Sequence, residues 1–192
     1  MKTHPANLAL TLCFGLVTAT ALTTLTGCVA GDRYNRSTGE YVDDTSINSR
    51  VRDAMNGNPE YKFDGVQVVT FKGTVQLSGF VDTYAQKYTA SSIAKKIQGV
   101  RDVENNITVK DKTDRSTGEY IDDKSLASRV NNALGNNADY KFGEVAVVAF
   151  KGSVQLSGFV NNADQKDKAE DIARQVAGVR EVVNKITVKD KL

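Results

Sequence analysis

The sequence predicts an α+β protein of two tandem α-β-β-α-β domains, each a three-stranded sheet with two helices on one face. Three observations carry this. Arg36-Ser37-Thr38-Gly39-Glu40-Tyr41 returns as Arg115-Ser116-Thr117-Gly118-Glu119-Tyr120, and the offset of 79 never slips. Residues 36–112 and 115–191 share 46 identities in 77 ungapped positions. Within each copy the apolar period changes from helical to alternating, back to helical, and again to alternating. Two copies make a pair of small domains; a solenoid needs more.

Each element has its own warrant. Asp43-Asp44 precede Ile47, Val51, Ala54 and Met55, a one-faced helical stripe, and the acids read as caps at the helix start. In the copy, Asp122-Asp123 precede Leu126, Val130, Ala133 and Leu134. This helix, read as Ser125 to Leu134, shows no large apolar residue outside its core stripe. Asn and Gly at 56–58 and 135–137 stop both helices. Two β-rich runs, Val66 to Phe71 and Thr74 to Val81, are joined through Lys72-Gly73, which reads as a tight hairpin. Val75, Leu77, Gly79 and Val81 share one face. Thr83 and Gln86 have capping-box spacing before a helix with the stripe Ala90, Ile93, Ala94, Ile97. Gly99 and Gly178 fit the left-handed position that closes a helix. A last strand holds Val103, Asn105, Ile107 and Val109. The β-α-β portion implies a right-handed crossover, and strand order stays open.

The first residues are an address. Lys2 is followed by an apolar run from Leu8 to Leu25 and then by Leu25-Thr26-Gly27-Cys28. A basic start, an apolar stretch and small residues before the cut describe a secretory signal peptide. The final four residues resemble the bacterial lipobox, in which the cysteine is lipidated and becomes the first mature residue. The expected organisation is a signal peptide at 1–27, an N-terminal linker at 28–42, domains at 43–112 and 122–191, and a linker at 113–121. Cleavage removes His4 and Cys13, so the mature chain holds no histidine and no disulfide.

Composition excludes several functions. Each copy nets +1, which is no basic module for nucleic acid. Without histidine there is no His-based acid–base pair or Ser-His arrangement. No phosphate-binding glycine loop is present. The acids at 39–44 lack the alternating spacing of a calcium loop, so no metal is expected. Tyr61-Lys62-Phe63 and Tyr140-Lys141-Phe142 read as aromatics packed on the hairpin with a solvated lysine.

The run Gly73 to Val81, then Gly99-Val100, then Asn105-Asn106-Ile107, resembles the BON domain. Gly152 to Val160, Gly178-Val179 and Asn184-Lys185-Ile186 repeat it. Two such units behind a lipobox resemble dual-BON outer-membrane lipoproteins and the osmotically inducible BON proteins. The resemblance implies a non-enzymatic protein without cofactor, associated with phospholipid, envelope integrity and osmotic stress. Its expected place is the periplasmic face of the outer membrane, held by Cys28; a soluble periplasmic protein is the alternative. The expected partner is a phospholipid surface, or an outer-membrane or periplasmic protein, with no small-molecule substrate. A chaperone-like action on unfolded clients is the other function considered. The second helix of copy one carries Lys87, Lys95 and Lys96 and no acid between Thr83 and Gln98, with Tyr84 and Tyr88 as interfacial aromatics. These five residues are the candidate contacts with anionic lipid.

Overall fold

The computed structural model describes residues 37–110 and 116–189. The proposed signal segment and Cys28 lie outside the described residues. Repeat one runs α1 (Thr38–Asn56), β1 (Val66–Phe71), β2 (Thr74–Val81), α2 (Tyr84–Lys95) and β3 (Asp102–Val109). Repeat two runs α3 (Thr117–Gly135), β4 (Val145–Phe150), β5 (Ser153–Val160), α4 (Ala163–Arg174) and β6 (Glu181–Val188). The predicted order α-β-β-α-β is present twice. In each sheet the hairpin's second strand is central: β2 pairs antiparallel with β1 and parallel with β3, and β5 does the same between β4 and β6.

The first helix of each repeat begins earlier than its acids suggest. Ser37 is the N-cap of α1: its hydroxyl accepts from Glu40 N at 3.2 Å, and Glu40 accepts from Ser37 N at 2.9 Å. This is a complete capping box, and Ser116 with Glu119 forms another. The expected capping role of Asp43-Asp44 is therefore corrected. Asp44 sits inside the helix and is buried. Its carboxylate accepts from the backbone N–H of Lys72 at 2.8 Å and of Gly73 at 2.9 Å. Lys72 and Gly73 have φ of 49° and 80°, the left-handed pair that a two-residue type I′ hairpin requires. A lysine rarely adopts this conformation, and the buried acid holds it there. Asp123 does the same for Lys151 and Gly152.

Thr83 and Gln86 form the predicted capping box on α2. Gly99 has φ of 93°, as expected for its residue type, but its position is corrected. The helix ends at Lys95, and Gly99 lies in the next turn, where Val100 N donates to Ile97 O at 3.1 Å. Asn105 interrupts the apolar face of β3 for a reason: its amide donates to Lys87 O of α2 at 2.8 Å, and Asn184 repeats this with Lys166 O at 3.0 Å.

Between helices and sheet each repeat buries one apolar cluster. In repeat one it joins Ile47, Val51 and Met55 to Val75, Leu77, Val81, Ala90 and Ile107; Tyr61 and Phe63 pack there as predicted. The opposite face of each sheet is also buried, because the two sheets meet face to face. Thr74, Gln76, Ser78 and Phe80 of β2 are all enclosed. Phe71 stacks on Phe159 with centroids 5.6 Å apart, and Phe80 on Phe150 at 5.3 Å. Gln155 accepts from Gly79 N at 2.6 Å, and Gln76 accepts from Gly158 N. The other ends of these amides donate to Asn106 O at 2.7 Å and Lys185 O at 3.1 Å. Each of these contacts has its counterpart 79 positions away, so the pair of repeats has pseudo-two-fold symmetry; the bond from Thr187 Oγ1 to Glu104 at 2.7 Å departs from it, because the equivalent of Glu104 is Val183. No described helix is long and apolar enough to cross a membrane.

Candidate functional site

The capping box starts α2 beside β2, and Gln86, Ala90 and Ala94 turn its inner face to the core. At 3.6 residues per turn, Tyr84, Tyr88, Ser91 and Lys95 then fall on one outward stripe. The two tyrosines are 67% and 69% exposed, more than any other large hydrophobic side chain among the described residues. Lys95 is exposed and closes the last turn, where a cation favours the helix dipole. Lys96 is the C-cap, exposed on one flank of this stripe. Lys87 is half-buried on the other flank. Thus Tyr84, Tyr88 and Lys95 come together on one stripe, while Lys87 and Lys96 border it.

The corresponding face of α4 has different chemistry. Ala163 and Asp167 stand where α2 has Tyr84 and Tyr88. Arg174 is paired with Glu170 one turn before it, and Glu170 also accepts from Asn184 at 3.0 Å. The helix is locally neutralised. The two repeats share a fold and differ at this surface.

The early start of α3 corrects a second expectation. Its first turns carry Tyr120 and Ile121, 41% and 61% exposed. The helix therefore does present large apolar residues outside its core stripe. The capping box of Ser116 and Glu119 that brings them into the helix lies a turn ahead of the Asp122-Asp123 pair. In repeat one, Tyr41 and Val42 are exposed at the equivalent place.

The BON domain model matches residues 43–111 and 122–190. The chain belongs to the BON-domain family. It is 34% identical to osmotically-inducible protein Y of Escherichia coli K12 over 151 residues, covering 79% of this chain and 75% of that one. It is 32% identical to outer membrane lipoprotein DolP of Haemophilus influenzae over 149 residues, covering 77% of this chain and 76% of that one. It is 30% identical to a 21 kDa hemolysin of Actinobacillus pleuropneumoniae over 152 residues, covering 79% and 77%. The matched residues span both sheets and all four helices except the first turns of α1 and α3.

Proposed function

We propose that this BON protein is a non-enzymatic component of the bacterial envelope, anchored through Cys28 to the periplasmic face of the outer membrane, where it contacts phospholipid and supports osmotic or envelope-stress tolerance. The observation that carries this is the acid-free face of α2, where Tyr84 and Tyr88 stand fully presented beside Lys95. Tyrosines place an apolar ring and a polar tip at a membrane surface, and each nearby lysine adds about 1 kcal/mol with anionic lipid. The names of the E. coli and H. influenzae relatives, one osmotically inducible and one an outer membrane lipoprotein, support the setting. Tyr120 and Ile121 on α3 are a second candidate contact, for lipid or for an envelope protein.

Flotation of residues 31–192 with vesicles containing phosphatidylglycerol tests the site. Charge reversal at Lys87, Lys95 and Lys96, or Tyr84→Ser with Tyr88→Ser, should weaken binding. The charge effect should be larger at low salt, since exposed charges are screened over about 10 Å at 0.1 M. Equal binding by wild type and both variants removes α2 from the surface. Loss only in Tyr120→Ser with Ile121→Ser moves the contact to α3.

A further inference from the structure

Each repeat has a charged cleft between its first helix, its hairpin and the loop leading to its last strand. In repeat one its volume is about 440 Å3, and its charged lining is Glu40, Asp43, Asp44, Arg50, Lys72 and Arg101. In repeat two a cleft of about 220 Å3 is lined by the same six residue types, each 79 positions on. Other charges also repeat, Lys62, Lys87 and Lys110 among them, whereas Arg52, Asp64, Lys96 and Glu104 are replaced by Asn131, Gly143, Gln175 and Val183. The hairpin geometry accounts for Asp44, and the cap for Glu40. Neither accounts for Asp43 and Arg101; Arg50 Nε donates to Ser46 O at 3.3 Å, and its copy Arg129 donates to Ser125 Oγ at 2.9 Å and to Ala177 O at 3.2 Å.

The floor of the cleft is bare backbone. A side chain at Gly73 would meet Arg101 Cγ at 3.0 Å, and one at Gly99 would meet Ile47 Cδ1 at 3.2 Å, with Arg50 Nη2 at 3.8 Å. The two arginines thus stand over adjoining glycines, and in repeat two Arg180 and Arg129 stand over Gly152 and Gly178 likewise. Among the described residues, the Asp43 carboxylate and the Arg101 guanidinium make no hydrogen bond or ion pair. Three acids and three cations make the lining electroneutral. A simple anion meets carboxylates there, a simple cation meets guanidiniums, and no described group of residues is suited to a metal ion. A ligand with both charges answers both sides.

We propose that each repeat binds a small zwitterion of the phosphoethanolamine type in this cleft, its phosphate between Arg50 and Arg101 and its ammonium at Asp43. Guanidinium groups suit a phosphate because they present paired donors. The ligand is held and not turned over, so the site adds no substrate. Tyr84 and Tyr88 take no part in it, and the proposal stands or falls apart from the membrane surface on α2.

The test is amide NMR of residues 31–192, one compact unit, titrated with O-phosphoethanolamine, inorganic phosphate or ethanolamine. Phosphoethanolamine should give saturating shifts at Lys72, Gly73, Gly99 and Arg101 and at their four copies, at least tenfold tighter than either half-molecule. Arg101→Gln should abolish the shifts in repeat one and leave those of repeat two. Asp43→Asn should weaken phosphoethanolamine and leave inorganic phosphate unchanged, which a purely structural aspartate would not do. Binding of phosphatidylethanolamine vesicles in competition with the free probe makes the ligand a lipid headgroup; shifts without vesicle binding make it a free solute, and either result supports the site. No saturating shift, saturation in one repeat only, or phosphate binding as tight as phosphoethanolamine overturns the proposal.

Discussion

The hydroxyls of Ser78 and Ser157 meet at 2.6 Å in the centre of the molecule, each on the middle strand of its own sheet. They are the same residue of the repeat, so the pseudo-two-fold axis passes between them. On either side lie Gln76 and Gln155, both about 1% exposed, whose amides bond across the interface.

Gln76→Ala should therefore destabilise the two repeats together. It leaves the buried N–H of Gly158 without its acceptor, a loss of about 1–3 kcal/mol. Urea unfolding followed by probes in both repeats should show one shifted transition. A shift confined to repeat one would mean that the sheets do not stabilise each other.

Glycine substitutions should have opposite signs at two positions. Gly99→Val should cost roughly 1 kcal/mol or more, because a β-branched residue fits positive φ badly and its Cβ meets Ile47 at 3.2 Å. Gly39 lies within α1, and the nearest atom to an added Cβ is 4.0 Å away. Gly39→Ala should stabilise by about 0.4–1 kcal/mol. Thermal melts of the two variants check both signs.

The cap of α1 should weaken in acid. The Ser37 N–H and hydroxyl, with Lys72 and Arg101 nearby, hold the Glu40 carboxyl below its ordinary 4.5. A depressed acid contributes in full above its unfolded value and is lost as pH falls through its folded value. The stability gap between wild type and Glu40→Gln should thus be constant above about pH 4.5 and close below it. Denaturation at a series of pH values reads this directly; a gap that persists in strong acid would show that the charge plays no part.

The anchor has the simplest test. Wild-type protein should incorporate labelled palmitate and fractionate with the outer membrane, while Cys28→Ala should do neither. A single acyl chain binds a membrane only marginally, so stable attachment needs two or more. Label retained by Cys28→Ala would refute the lipoprotein assignment.

Much of the fold was legible because its signals are local. Period and the hairpin glycine place every strand and the body of every helix in both repeats. The helix starts were missed where two signals competed: the Asp43-Asp44 pair looked like a cap, and the true Ser37-Glu40 box lay a turn earlier. Strand order and the second buried sheet face were not legible, because they depend on partners far away in sequence. Gln76 and Ser78 are polar and alternate with the apolar face, and only the equivalent face of the other repeat buries them. The candidate lipid residues are legible from the run of lysines without acids and from the two tyrosines within it. Their division into a stripe of Tyr84, Tyr88 and Lys95, with Lys87 and Lys96 on its flanks, needed the helix to be oriented on the sheet.

An interface that maps onto itself is what two identical subunits make when they associate. Here both halves of such an association lie on one chain. A homodimer must change both of its outer surfaces at once, since a single gene encodes them. Fusion removes that constraint. The buried sheet faces have kept matching glutamines, serines and phenylalanines, while α2 carries two tyrosines where α4 carries an alanine and an aspartate. The joined chain can specialise one side and leave the other as its structural counterweight, which a symmetric pair of separate subunits cannot do.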